Sequence, residues 1–268
     1  MTLTRRELED LEHAKRLLEN PGLAARLSAI VGSPVEKGMK MLPAKVQKTV
    51  HAATEAALMK ALDVAVRSLG RARRKASSDR MHKFAAAASG AAGGAFGIAA
   101  IGLELPISTT LILRSIADIA AAEGENPNEV ETRLSCLTVF ALGSSRDSRD
   151  NTAESGYFAA RSALANAVSE AARYLAEKSL SKGGSPALVR LIGLIASRFG
   201  VVVSQKTAAQ LVPVIGAAGG AIINTLFIGH YQDMARGHFI VRRLERVHGA
   251  ESVREAYDKL PRQPRKSP

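Results

Sequence analysis

Tryptophan is absent from this chain, aromatic residues make up only 4% of it, and Cys136 is its one cysteine. Each scarcity excludes something. Proteins that hold single-stranded nucleic acid by stacking bases on rings need more aromatic residues than this, or clusters of them. Nucleic acid is therefore not an expected partner. One cysteine forbids an internal disulfide and fits a reducing compartment. The opening stretch, MTLTRRELEDLEHAKRLLEN, is charged and amphipathic and lacks the apolar core of a secretory signal. Familiar catalytic signatures are missing too. There is no Gly-x-x-x-x-Gly-Lys-Ser/Thr loop, no His-Glu-x-x-His pair and no Gly-x-Ser-x-Gly elbow. No cofactor is expected, and the balance leans away from an enzyme.

What is present is charge and apolar sequence kept apart. Hydrophobic residues are 46% of 268, enough for a packed core. The net charge of +12 divides into +8 over residues 1–83, −4 over 84–143, +4 over 144–206, −1 over 207–233 and +5 over 234–268. Basic flanks around apolar segments suit an anionic membrane surface. They equally suit a soluble protein with a basic exterior.

Helical signals run along nearly the whole chain. Thr4 and Glu7 have capping-box spacing, and Leu8, Leu11, Ala14 and Leu18 follow at helical intervals until Asn20-Pro21-Gly22. A short helix is expected over Leu23–Val31. Pro43 opens a long one with Val46, Val50, Ala57, Ala61, Val64 and Leu69 on its apolar side. That helix runs into Arg71, Arg73, Arg74 and Lys75, which suit either a helix C-terminus or a patch for lipid or nucleic acid. Ser78-Asp79 reads as the next N-cap. Pro106 should end the following segment, with a new helix over Ile107–Ala122. Gly124–Asn128 is turn chemistry, and helices are expected near Glu129–Leu142, Tyr157–Ser181 and Pro186–Phe199. Val201–Val203 has the composition of a short strand but lacks a partner. A long helix to about Val247 and a last one over Ala250–Leu260 complete the domain at 1–260. A polar hinge is expected at 143–156, and a disordered basic tail at 261–268.

The string GAAGGA occurs twice, at Gly90–Ala95 and Gly216–Ala221, each inside a charge-free run, Phe84–Leu103 and Thr207–Gln232. Gly90, Gly93, Gly94 and Gly97 share one helix face, as do Gly216, Gly219 and Gly220. Each glycine costs a helix interior about 1 kcal/mol against alanine. Close approach of a second helix offsets that cost, and the GxxxG spacing permits it. The expectation is that the two glycine faces cross each other within central hairpins. The first run is long enough to span a bilayer, at roughly 30 Å, but its large apolar residues are few. Such segments suit a buried hairpin or conditional insertion.

Isolated polar groups supply the other candidates. Glu104, Arg114 and Asp118 sit among apolar neighbours, and structural pairing of Arg114 with Asp118 or Glu104 is expected. Arg242 and Arg243 join the lipid-binding candidates. His230 and Asp233 stand three apart and His238 lies about 80° round the helix. They are weak metal candidates, since a metal needs a further ligand. Cys136 reads as a small core residue. Ser179 and Lys182 have Ser-x-x-Lys spacing without its partner motifs.

Four blocks are similar to the EcsC protein family. They are GLAARLSAIVGSPVEKGMKMLP, the stretch from GAAGGAFGIAAIGLELPISTTLILRSIADIA to CLTVFALG, RFGVVVSQKTAAQLVPVIGAAGGAIINTLF, and HYQDMARGHFIVRRLER. The resemblance covers nearly the whole chain. The family takes its name from a gene beside an ABC-type transporter. The resemblance implies an envelope or transport-accessory context, with a transporter or envelope protein as partner, and carries over no catalytic residue. The combined expectation is an all-α multi-helix bundle, non-enzymatic, docking peripherally on the anionic cytoplasmic face of a bacterial membrane. The alternative is a hydrolase of lipid or peptide with a polar site near His230–His238.

Overall fold

A computed structural model of the chain describes residues 3–19, 23–32, 34–68, 101–143, 156–177, 185–210 and 216–261. These form ten helices, with no strand among the described residues. The helices are α1 (Arg5–Glu19), α2 (Leu23–Val31), α3 (Val35–Lys40), α4 (Ala44–Ser68), α5 (Ile101–Ala122), α6 (Val130–Leu142), α7 (Gly156–Glu177), α8 (Pro186–Gln210), α9 (Gly216–His248) and α10 (Ala250–Lys259). The protein is an all-α multi-helix bundle.

Local chemistry accounts for most boundaries. The backbone N–H of Thr4 donates to Glu7 Oε2 at 2.8 Å, and that of Glu7 donates to Thr4 Oγ1 at 3.3 Å, so the capping box opens α1. Between α5 and α6, Gly124 takes φ +81° and Asn126 Oδ1 accepts from the Asn128 N–H. Gly249, at φ +83°, separates α9 from α10.

Two sequence expectations fail here. Pro106 lies inside α5, which runs unbroken from Ile101 to Ala122. A proline removes the N–H that would serve the carbonyl four residues earlier. That residue is Gly102, which is exposed, so water can take the donor's place. Val201–Val203 is not a strand but the middle of α8. Val202 and Val203 are buried in the core, and their packing outweighs the small helical penalty of β-branching. α3 was not anticipated at all.

The core sits where α4, α5, α6, α8 and α9 meet. Phe140 of α6, Phe199 of α8 and Tyr231 of α9 pack ring on ring, with centroids 5.0–5.6 Å apart. Helix α9, about 50 Å long, is central. α5, α6 and α8 lie against it, and α1 and α10 cover its C-terminal half. A second apolar cluster forms there from Leu11, Phe158, Leu244, Val253 and Tyr257. Lys15 is buried beneath it and donates to the carbonyls of Tyr257 (2.7 Å) and Leu260 (2.8 Å). A cation thus meets the carbonyls at the end of α10, of which that of Tyr257 also accepts from the Leu260 N–H.

The described part of the second GAAGGA run begins α9, and Gly219 and Gly220 are buried there. Residues 84–100 and the cluster at Arg71–Lys75 lie outside the described residues. So do Gly90, Gly93, Gly94, Gly97, the Ser179–Lys182 pair and most of the expected hinge. Two described helices, α5 from Glu104 and α8, are long and apolar enough to cross a membrane. Both supply one face to the core.

Candidate functional site

A cavity of about 350 Å³ opens between α6, α7 and α9. Its apolar side comes from α7, through Leu164, Val168 and Ala172, and its polar side from Ser135 and Thr138 of α6 and His238 and Arg242 of α9. His238 is buried and both ring nitrogens are engaged, Nε2 with Ser135 Oγ at 3.0 Å and Nδ1 with Tyr157 Oη at 2.9 Å. Arg161 Nη1 donates to the same tyrosine oxygen at 3.1 Å. That contact favours donation of the phenol proton to Nδ1, the tautomer in which Nε2 carries the ring proton and donates to Ser135. In that tautomer Ser135 accepts from the ring rather than donating to it. Burial, then the positive charge of Arg161 and Arg242, pushes the His238 pKa well down. The ring stays neutral at physiological pH.

Ion pairs brace this wall. Arg161 binds Glu245 through two parallel bonds of 2.8 and 2.9 Å. Arg242 donates to Glu125 Oε1 at 2.8 Å and, more weakly, to Glu131 at 3.5 Å. Arg246 also pairs with Glu125. Arg243 reaches both Glu123 and Asp10 at 2.8 Å. Burial opposes ionisation of Glu125, but Arg242 and the other donors hold its pKa below the usual carboxylate value. Arg242 and Arg243, expected as lipid contacts, are thus occupied by carboxylates from the α5–α6 turn and α1.

The remaining candidates disperse. His230 is buried, and its Nε2 donates to the Gly143 carbonyl at 2.8 Å. A Cβ on Gly143 would lie 2.6 Å from that nitrogen, so the approach requires glycine. Asp233 turns instead toward Arg26 (3.4 Å) and Arg236 (3.6 Å). His230, Asp233 and His238 therefore do not converge on a common point, and no metal-binding group occurs among the described residues. Cys136 is buried, and burial pushes its thiol pKa up, which suits a core residue.

The expected Glu104–Arg114 pairing does not form. Arg114 is exposed on the outer face of α5, and no ion pair joins it to Asp118. Glu104 faces inward and meets Lys206 of α8, whose Nζ donates to Glu104 Oε1 at 2.5 Å and to Asn224 Oδ1 at 2.9 Å. Lys206 escaped notice in the sequence because VSQKTAAQ looks like an ordinary helix surface. Ser135, Tyr157 and Arg161 were also missed, as they come from helices that only folding brings to His238.

Burial has a consequence for pH. Chiefly by burial, the His230 pKa falls from 6.5 to about 4, while its hydrogen bond to Gly143 opposes the shift. Between those values the unfolded chain binds a proton that the folded chain refuses, so stability falls as pH drops through that window. Urea unfolding from pH 7 to pH values near 4 should show this loss, with a shallower slope for His230→Asn. An unchanged slope would contradict the assignment.

Fold and site together define an all-helical protein with a polar-walled cavity braced by ion pairs. The EcsC protein family model matches residues 5–244, and the chain belongs to that family. Neither the curated proteins nor the solved structures contain a match to it.

Proposed function

We propose that the protein is a non-enzymatic, peripheral membrane protein that docks on an anionic cytoplasmic membrane face, in a transport-accessory role. One observation carries this reading. At the corner between α3 and α4, Met41 is 81% exposed and is surrounded in sequence by Lys37, Lys40, Lys45 and Lys48, all exposed. None of the four lysines pairs with a carboxylate among the described residues. A protruding apolar side chain ringed by free cations suits the boundary between lipid head groups and acyl chains.

Each lysine near an anionic surface contributes about 1 kcal/mol. Sedimentation with phosphatidylcholine vesicles, with and without phosphatidylglycerol, tests this. Binding should need the anionic lipid and weaken as salt rises. Reversing Lys37 and Lys40 to glutamate should weaken it at least about tenfold, and Met41→Glu should weaken it further. Protein that stays in the supernatant, or variants that bind as wild type does, would overturn the proposal.

A hydrolase reading draws on the Ser135–His238 contact at the cavity. The tautomer that Arg161 and Tyr157 favour speaks against it, because in that tautomer Ser135 receives a hydrogen bond rather than giving up its proton.

A further inference from the structure

We infer that the cavity between α6, α7 and α9 is a binding site for a small amphiphilic anion, with a carboxylate or phosphate head on Arg242 and an apolar portion along α7. This goes beyond membrane docking, whose surface lies at the α3–α4 corner and uses other residues.

The two walls differ in kind. The α7 wall is apolar, with Leu164, Val168 and Ala172 at helical spacing, and it opens to solvent at Ala165 and Ser169, which are exposed. The opposing wall carries the guanidinium groups of Arg161 and Arg242 and the neutral imidazole of His238. A ligand that satisfies only one wall leaves the other against water, whereas a molecule with an anionic end and an apolar end satisfies both.

Charge decides the head group. Arg161 is saturated by its two bonds to Glu245 and its bond to Tyr157. Arg242 is not. Its Nε and Nη2 meet Glu125, while Nη1 has no hydrogen-bond partner among the described residues. Its second carboxylate, Glu131, lies at 3.5 Å with a side chain 68% exposed. Such an exposed, long contact is weak and easily exchanged. An incoming carboxylate or phosphate would take its place and gain the free Nη1 donors in the paired geometry that guanidinium favours. The Glu125 bond would remain beneath it, so the arginine is held in place before the ligand arrives.

Octanoate, octyl phosphate, 1-octanol and inorganic phosphate are the probes, titrated calorimetrically into the full chain. At least one of the two amphiphilic anions should bind at least about tenfold more tightly than octanol and inorganic phosphate, the difference one charged hydrogen-bonded head supplies. Glu131→Gln removes the competing carboxylate from an exposed position and should tighten binding about twofold to fivefold. Arg242→Lys keeps the charge but loses the fork, and should weaken it about tenfold. Because Arg242 also braces Glu125, a filling variant guards against a folding artefact. Ala165→Leu combined with Ala172→Leu should abolish binding while the melting temperature stays level or rises. The inference is overturned if neither anion binds, if octanol or inorganic phosphate binds as tightly as the amphiphilic anions, or if the filled variant binds as wild type does. Separate vesicle sedimentation of the filled variant should be unchanged, so failure here is distinguishable from failure of membrane docking.

Discussion

Glu104→Ala is expected to destabilise the protein by about 3–5 kcal/mol, the range found when one partner of a buried ion pair is removed. The Lys206 side chain is 3% exposed and that of Glu104 7%. The ammonium lies 4.7 Å from the centre of the Phe227 ring, and besides Glu104 its polar contact among the described residues is the Asn224 oxygen. Burial pushes the Lys206 pKa down, and Glu104 opposes that shift. Without the carboxylate, the lysine must either stay charged in the core or fold in its neutral form. A pKa lowered in the folded state makes stability rise with pH. The deficit of Glu104→Ala should therefore shrink as pH climbs toward the ordinary lysine range. Replacing both partners together, Glu104→Leu with Lys206→Met, should restore most of the loss, since an apolar pair of similar volume needs no desolvation. Urea unfolding of the two singles and the double completes the cycle. A single-mutant loss below about 1 kcal/mol would mean that the pair is solvated after all.

Gly237→Leu should cost about 3 kcal/mol or more, the upper end of the range for overpacking. A Cβ at this position would lie 2.6 Å from Leu18 Cγ and 3.0 Å from the backbone oxygen of Ala14. The side chain of Leu18 can turn away, but the Ala14 oxygen belongs to the α1 backbone. The helix as a whole must retreat. Its retreat would uncover Leu11 and Ala14, which are fully buried, and pull Lys15 from the α10 carbonyls. Protection of α1 and α10 amides against hydrogen exchange should fall together, while the Phe140–Phe199–Tyr231 core stays protected. Equal loss of protection across all helices would show that α1 docking is not separable from the main core.

Gly237 also bears on the glycine repeats. Close approach of two helices was expected where GxxxG spacing announces it. Gly219 and Gly220 are buried at the start of α9 and the first glycine face lies outside the described residues; among the described residues, a crossing that demands a missing side chain is α1 over α9. The lone glycine in MARGHF serves it. Spacing on one helix says which face is small. It does not say what arrives there.

Local chemistry in the sequence determined the helical class, the Thr4–Glu7 cap, the Gly124–Asn128 turn and the break at Gly249. Each depends on backbone groups within a few residues, which short-range hydrogen bonding or a positive φ satisfies without help from the rest of the chain. Tertiary structure alone decided the rest. It carried α5 through Pro106 and held Val201–Val203 in a helix, because burial outweighs a modest local preference. It gave Glu104 to Lys206, 102 residues away, rather than to Arg114 one helix face over. It also gathered Ser135, Tyr157 and Arg161 round His238, across separations of 103 residues to the serine and 81 to the tyrosine. A buried polar group must find a partner somewhere, but which one it finds depends on how whole helices pack, and no local spacing records that.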